Sequence, residues 1–312
     1  MCANRTIIGI IAITSIPTSR GERSDWEQQV ANEQQRAGSG VPLAAADYVQ
    51  SLDKGLQVLG AFDAQHSRLS VSQTAARTSM SRAAARRHLL TLHALGYLAT
   101  DGRQFWLTPK VLGFGGGYLA SAPLAVAAQP DLEWLAAHTR CSASLVVREG
   151  DAVVVVARSA PTDRQGRGAL PYGVHLGARL PLHATSTGQV LLAAQPASYR
   201  AQWLKHSQRA AHTQHTLVEA AALAQRLVQV ELAGYALASE EHEWGVHAVA
   251  VPVCNTAGQA VAALNLIANT QVARLGEWPL SYLPVMREVA QRLGAVSPST
   301  ADTARRMRGN GA

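Results

Sequence analysis

Cysteine is scarce: Cys2, Cys141 and Cys254 are the three in 312 residues. They stand too far apart for paired zinc ligands or a disulfide framework, so no metal site is expected and a reducing, cytoplasmic setting fits. No run approaches the roughly 18 apolar residues that a spanning helix needs, so a membrane is not an expected partner. Residues 7–13 are apolar and Arg5 precedes them, yet no small-x-small cleavage site follows, only Ile16-Pro17-Thr18-Ser19-Arg20. A secretory leader is therefore not expected. Catalytic signatures are missing too. There are 11 histidines, but His183, His206, His212 and His215 come without an HExxH pair, paired cysteines or a nucleophile elbow. Gly113-x-Gly115-Gly116-Gly117 follows no strand and is not a nucleotide loop. The expectation is a protein that is not an enzyme and carries no cofactor.

What is present is an apolar share of 47% and a length suited to about two domains. The net charge of +7 is compatible with a nucleic-acid partner without requiring one. Residues 21–45 are polar, rich in Gln, Glu and Ala and interrupted by Gly38, Gly40 and Pro42, and residues 1–48 read as an arm. It is either disordered or extra sequence ahead of the true start.

Residues 69–107 hold the densest signal. A helix from about Ser51 precedes them, with Leu52, Leu56, Val58, Leu59 and Phe62 at helical spacing. Ser70 has the form of an N-cap for a short helix ending near Arg77, Thr78-Ser79-Met80 forms a turn, and Ser81 caps a second helix that stops at Gly96. Residues 97–100 and 105–108 then face each other across Asp101-Gly102, a strong hairpin signal. Two helices about a tight turn followed by a basic ribbon outline a winged helix-turn-helix.

The second helix presents Arg82, Arg86 and Arg87 near one face, with Ser79 and Ser81 at its start and Ala84, Leu89 and Leu92 on the other. Arginine in this position reaches guanine O6 and N7, and hydroxyls reach bases or phosphates. Residues 51–110 hold eight Lys or Arg, including Arg68 and the wing-tip Arg103, against three acids. Arg86 and Arg87 alone would be a solvated face; joined to two caps, a turn and a ribbon they point to double-stranded DNA.

Residues 109–123 read as a glycine-loosened linker helix. Beyond it an α+β arrangement is expected: a helix over 124–138, strands over 141–147 and 152–159, and a loop containing Gly166, Gly168, Pro171 and Gly173. Helices over 185–194 and 217–233 follow, then strands over 235–239, 247–254 and 260–267, and a helix to about Leu293. Residues 296–312 read as a disordered tail.

With these residues laid out, the chain resembles the IclR family of bacterial transcriptional regulators over about residues 51–293. The likeness rests on SLDKGLQVLGAF, LLTLHALGYL, FWLTPKVLGFG, ARLPLHATSTGQVLLA and GYALASEEHEWGVHAVAVPVCNTAGQAVAALNL. The wording looks nearest to the branch controlling protocatechuate, 4-hydroxybenzoate and β-ketoadipate catabolism. The resemblance implies a winged helix-turn-helix (49–108), the linker helix and a GAF-like effector domain (124–295). It further implies homodimers or homotetramers on palindromic promoter sites.

The resemblance also carries effector-pocket positions onto Tyr172, Leu180, Ser186, Thr187, Ala248, Asn265 and Ile267. Read from the residues, Ser186-Thr187-Gly188 opens a helix whose free N–H groups and hydroxyls suit the carboxylate of a small organic acid, or simply cap it. Tyr172 and Leu180 would wall its aromatic or aliphatic body. Where relatives commonly have Gly-Leu-Arg and then Ser or Cys, this chain has Gly245-Val246-His247-Ala248. His247 is then either a replacement anion partner or an ordinary surface or core histidine. Glu240-Glu241-His242-Glu243 reads as a solvated or subunit-contact face. The competing function is a small-molecule-binding or hydrolytic α+β protein whose N-terminal domain makes protein contacts.

Overall fold

The computed structural model describes residues 47–63, 65–161, 175–273 and 278–296. Most of the expected arm, the tail, the glycine loop and Tyr172 lie outside them. The chain divides into two units, Met1–Lys54 and Gly55–Ala312. Helix α1 (Gln50–Gly60) begins in the first; every element below belongs to the second.

Strand β1 (Leu69–Ser70) runs into α2 (Val71–Arg77). Ser70 accepts from the Gln73 N–H at 3.3 Å while Gln73 Oε1 accepts from the Ser70 N–H at 2.9 Å, a capping box. The Met80 N–H closes the following turn on the Ala75 carbonyl, and Ser79 turns there at φ 53°. Helix α3 (Arg82–Ala94) is capped by Ser81, whose Oγ accepts from the Ala84 N–H at 3.2 Å. Its buried stripe is Ala85, Leu89 and Leu92. Ala84, expected on that stripe, sits one position off it, because the helical repeat places Ala85 one turn before Leu89.

Strands β2 (Leu98–Thr100) and β3 (Gln104–Leu107) pair antiparallel, with Thr100 opposite Phe105 and Gly102 turning at φ 89°. The expected two-stranded ribbon has a third member, since β1 pairs with the other edge of β3 through Leu69 and Phe105. Two residues are too few to carry a periodic signal. Val58, Phe62, Leu69, Leu89, Leu98 and Phe105 form the core of this head.

A 3₁₀ turn (Pro109–Val111) leads to α4 (Leu112–Ser121) and then α5 (Pro123–Thr139). Strands β4 (Ser142–Glu149) and β5 (Ala152–Ser159) follow, then β6 (Arg179–Pro181), α6 (Ser186–Ala193), α7 (Ala197–His206) and α8 (Ala220–Ala233). Strands β7 (Ala236–Ser239), β8 (Val246–Cys254) and β9 (Ala260–Asn269), the short α9 (Thr270–Ala273) and α10 (Leu283–Val296) close the chain. The strands form one antiparallel sheet in the order β6-β5-β4-β9-β8-β7.

The sheet is covered on both faces, so its central strands read as nearly continuous apolar runs. On one face α5 and α10 pack Leu132, Leu135, Met286 and Val289 against Leu145, Val249, Val251 and Leu264. On the other, α6 and α8 pack Leu191, Leu192, Leu223 and Leu227 against Val146, Val155, Ala250 and Ala263. Helix α6 lies tight on the chain entering it: a Cβ at Gly188 would fall 2.3 Å from the Leu182 carbonyl oxygen, so only glycine fits there.

Candidate functional site

The head presents its cations unequally. Arg86 and Arg87 are exposed on α3. Arg82, also exposed, donates to Ser72 Oγ at 2.6 Å, which ties the first turn of α3 to α2. Arg68 lies over the Trp106 ring at 4.0 Å and 3.7 Å from Asp101, so it is held against the wing. Arg103 stands exposed at the hairpin tip, its N–H bonded to Asp101 at 2.9 Å. Ser81 has its hydroxyl committed to the cap. Arg77, although basic, belongs to the fold: it pairs with Asp63 at 2.6 Å and donates to the Ala61 carbonyl at 2.9 Å.

In the second domain a cleft opens between the start of α6 and the β8–β9 part of the sheet. Leu180, Ser186, Thr187, Ala248, Asn265 and Ile267 all line it. Ala248 lies opposite Ile267 in the β8–β9 register, and Asn265 lies opposite Ser144 on β4. Ser186 Oγ, Asn265 Oδ1 and Ser144 Oγ are buried with no hydrogen-bond partner among the described residues. Thr185 caps α6 by accepting from the Gly188 N–H at 3.1 Å. Unpaired buried oxygens beside a helix N-terminus favour a ligand that brings its own donors and negative charge.

His247 is not brought to the cleft. Successive strand residues point to opposite faces, and with Ala248 lining the cleft, His247 falls on the α10 side of the sheet. There its Nε2 lies 3.3 Å from Thr270 Oγ1 and its ring meets Trp278 edge-on.

Glu240-Glu241-His242-Glu243 is expected to be a solvated or subunit-contact face, and two of its residues are instead withdrawn into the cleft. Glu241 is 5% exposed. It accepts from Gln189 Nε2 at 2.8 Å and from Arg226 at 3.2 Å. Burial pushes its carboxyl above the usual range, against the opposing pull of Arg226 and Gln189. His242, next to it, also lines the cleft. Its ring stands edge-on to His212 at 4.8 Å, and burial holds its imidazole below the usual histidine range. A charged run beside a turn gives no local sign of this, because the partners are 52 residues upstream on α6 and 15 upstream on α8.

Among the described residues no single helix is long and apolar enough to cross a membrane.

Comparison with known proteins agrees with this geometry. Residues 51–102 match the IclR helix-turn-helix domain and residues 116–295 match the bacterial transcriptional regulator IclR C-terminal family. The chain is 40% identical to the Pca operon regulatory protein of Acinetobacter baylyi over 79% of its own length and 88% of that protein's. It is 42% identical to the p-hydroxybenzoate hydroxylase transcriptional activator of the same organism, over 80% and 93%. It is similar to the inducer-binding domain of an Acinetobacter PobR double mutant solved with 3-hydroxybenzoic acid, with 36% identity and a TM-score of 0.52, covering 55% of this chain and 98% of that one. An IclR regulator from Alicyclobacillus acidocaldarius, 24% identical with a TM-score of 0.71 over 80% and 100%, shares the fold. A helix-turn-helix head with an exposed arginine face, followed by a six-stranded domain with a polar cleft, thus has its place: this chain belongs to the IclR family of bacterial transcriptional regulators.

Proposed function

We propose that the chain regulates transcription from a palindromic promoter site in response to a small aromatic acid held between α6 and β8–β9, acting in the cytoplasm as a homodimer or homotetramer. The observation that carries this is the set of buried, unpartnered Ser186 Oγ and Asn265 Oδ1 atoms in a cleft otherwise walled by Leu180, Ala248 and Ile267. Apolar walls suit a ring, and the N-terminal end of α6 suits its carboxylate. The Glu241 charge is opposed by Arg226, which lowers its repulsion of an anion. The relatives in Acinetobacter act on pca and p-hydroxybenzoate hydroxylase genes, which supports the aromatic class. Membership of a regulator family favours this reading over a hydrolytic protein.

On DNA, Arg86, Arg87 and Arg103 are the freest cations to meet bases and backbone, with Arg68, Arg82, Ser79 and Ser81 shaping the surface around them. Oligomerisation is supported by α4, where Leu112, Phe114 and Tyr118 are more than half exposed and suit cover by a second copy. Effector binding would bias the arrangement of paired heads through α4, which requires different affinities for the two arrangements.

The test is a thermal-shift screen of aromatic acids followed by gel-shift titration on the promoter region flanking the chain's own gene. The reading expects at least one acid to raise Tm and to change promoter affinity or transcription output. A protein that binds no promoter fragment in a salt-dependent manner, or that is stabilised by none of the acids, overturns it.

A further inference from the structure

His242 is a cleft residue to which a bare carboxylate and ring would give no role. Its backbone is firmly held. Glu241 beside it is bonded to Gln189 and Arg226, and the carbonyls of Glu240 and Glu241 accept from Thr213 Oγ1 at 2.5 Å and Thr216 Oγ1 at 2.6 Å. Its ring is held as well. His212 stands edge-on to it at 4.8 Å, and His212 in turn faces His183 at 5.8 Å. His183 is anchored through Nε2, 2.9 Å from the Ala210 carbonyl.

A ring so fixed nevertheless has its Nδ1 buried with no hydrogen-bond partner among the described residues. Burial and the neighbouring imidazoles hold His242 below the usual histidine range, so the ring is neutral near pH 7. A neutral imidazole nitrogen donates or accepts according to tautomer and pairs well with a hydroxyl. Glu243 lines the same cleft, so a second carboxylate at this end would meet like charge.

We propose that His242 is the specificity-determining residue for a ring hydroxyl of the effector. The acid's carboxylate is met by the Ser186 hydroxyl and the start of α6, and its hydroxyl hydrogen-bonds to Nδ1 of His242. The inference rests on the aromatic-acid reading above, and the experiment separates the two.

Calorimetric titration of the full-length protein with benzoate, 3-hydroxybenzoate, 4-hydroxybenzoate and terephthalate is the test. In the unmodified protein one hydroxybenzoate should bind at least about tenfold more tightly than benzoate, the equivalent of one neutral hydrogen bond, and terephthalate should bind more weakly than either. His242→Phe should erase that preference, read as the ratio of hydroxybenzoate to benzoate affinity within the same variant, and His242→Asn should restore part of it. A folding defect in either variant is bypassed by side-chain nitrogen NMR on the unmodified protein: hydroxybenzoate, unlike benzoate, should move the His242 Nδ1 resonance. Equal affinity for benzoate and hydroxybenzoates, a preference that survives His242→Phe, or an unmoved resonance overturns the inference and leaves the aromatic-acid reading standing. If the unmodified protein binds none of the four acids, the underlying reading falls and the inference with it.

Discussion

The side-chain amide of Gln189 donates to the carboxylate of Glu241 across 2.8 Å, joining α6 to the β7–β8 connection with both side chains buried. Arg226 completes the arrangement from α8. Glu241→Ala should therefore take one buried acceptor from the Gln189 amide and one from the Arg226 guanidinium, which keep the His183 and Leu237 carbonyls, and lower unfolding stability by about 1–3 kcal/mol, whereas Glu241→Gln should cost less because shape and one hydrogen bond survive. Urea unfolding of both variants checks this, and equal costs would count against a charge-dependent interaction.

Arginines on the head should separate by role. Arg86→Ala and Arg87→Ala should each weaken promoter binding and reduce the salt dependence of log affinity by about one unit for each phosphate no longer neutralised, with thermal stability unchanged. Arg77→Ala should do the reverse, since its guanidinium is bonded to Asp63 and the Ala61 carbonyl: stability drops and the salt slope stays. Gel shifts across a salt series, paired with melting curves, distinguish them. An unchanged slope in the Arg86/Arg87 double variant would remove α3 from the DNA surface.

Gly113, Gly115, Gly116 and Gly117 lie inside α4 with open space where a Cβ would stand, so packing does not require them. Each replaced by Ala should stabilise the helix by up to about 1 kcal/mol. A Gly115→Ala/Gly116→Ala variant should raise Tm and blunt the effector's influence on promoter affinity, while leaving effector affinity itself in place. An undiminished response in a stiffened α4 would show that its compliance is not used.

Burial depresses the imidazoles of His183 and His242, with His212 and Arg209 adding repulsion and the Ala210 carbonyl opposing at His183. The sign follows: the unfolded chain binds these protons more readily, so their contribution is complete above the ordinary value near 6.5 and is lost as pH falls through it toward the depressed values. Unfolding free energy should decline from about pH 7.5 to about pH 5.5, and His183→Asn/His242→Asn should flatten that decline. Glu241, whose carboxyl is raised, acts in the opposite direction, so the comparison is the difference between the two proteins at each pH.

The elements of the head are legible in the sequence because their signals are local. Ser70 and Ser81 cap helices that begin one residue later, and Asp101-Gly102 turns a hairpin within a few residues. Leu180, Ser186, Thr187, Ala248, Asn265 and Ile267, carried over from the family resemblance, meet at one cleft. Tyr172 lies outside the described residues, and strand alternation puts His247 on the other face of the sheet. Strand β6 and helix α7 leave little trace in the sequence: the first is three residues long, and the second has little apolar periodicity. Glu241 and His242 look solvated in the sequence, since nothing within a turn of them differs from an ordinary charged loop.

Sequence by itself therefore determined the longer elements, the basic head and the family likeness, because capping, periodicity and turn chemistry act over a few residues. Tertiary structure decided which polar groups are withdrawn from water. Gln189, Arg226 and His212 reach Glu241 and His242 from three other segments, and desolvation belongs to that packed assembly rather than to any stretch of chain.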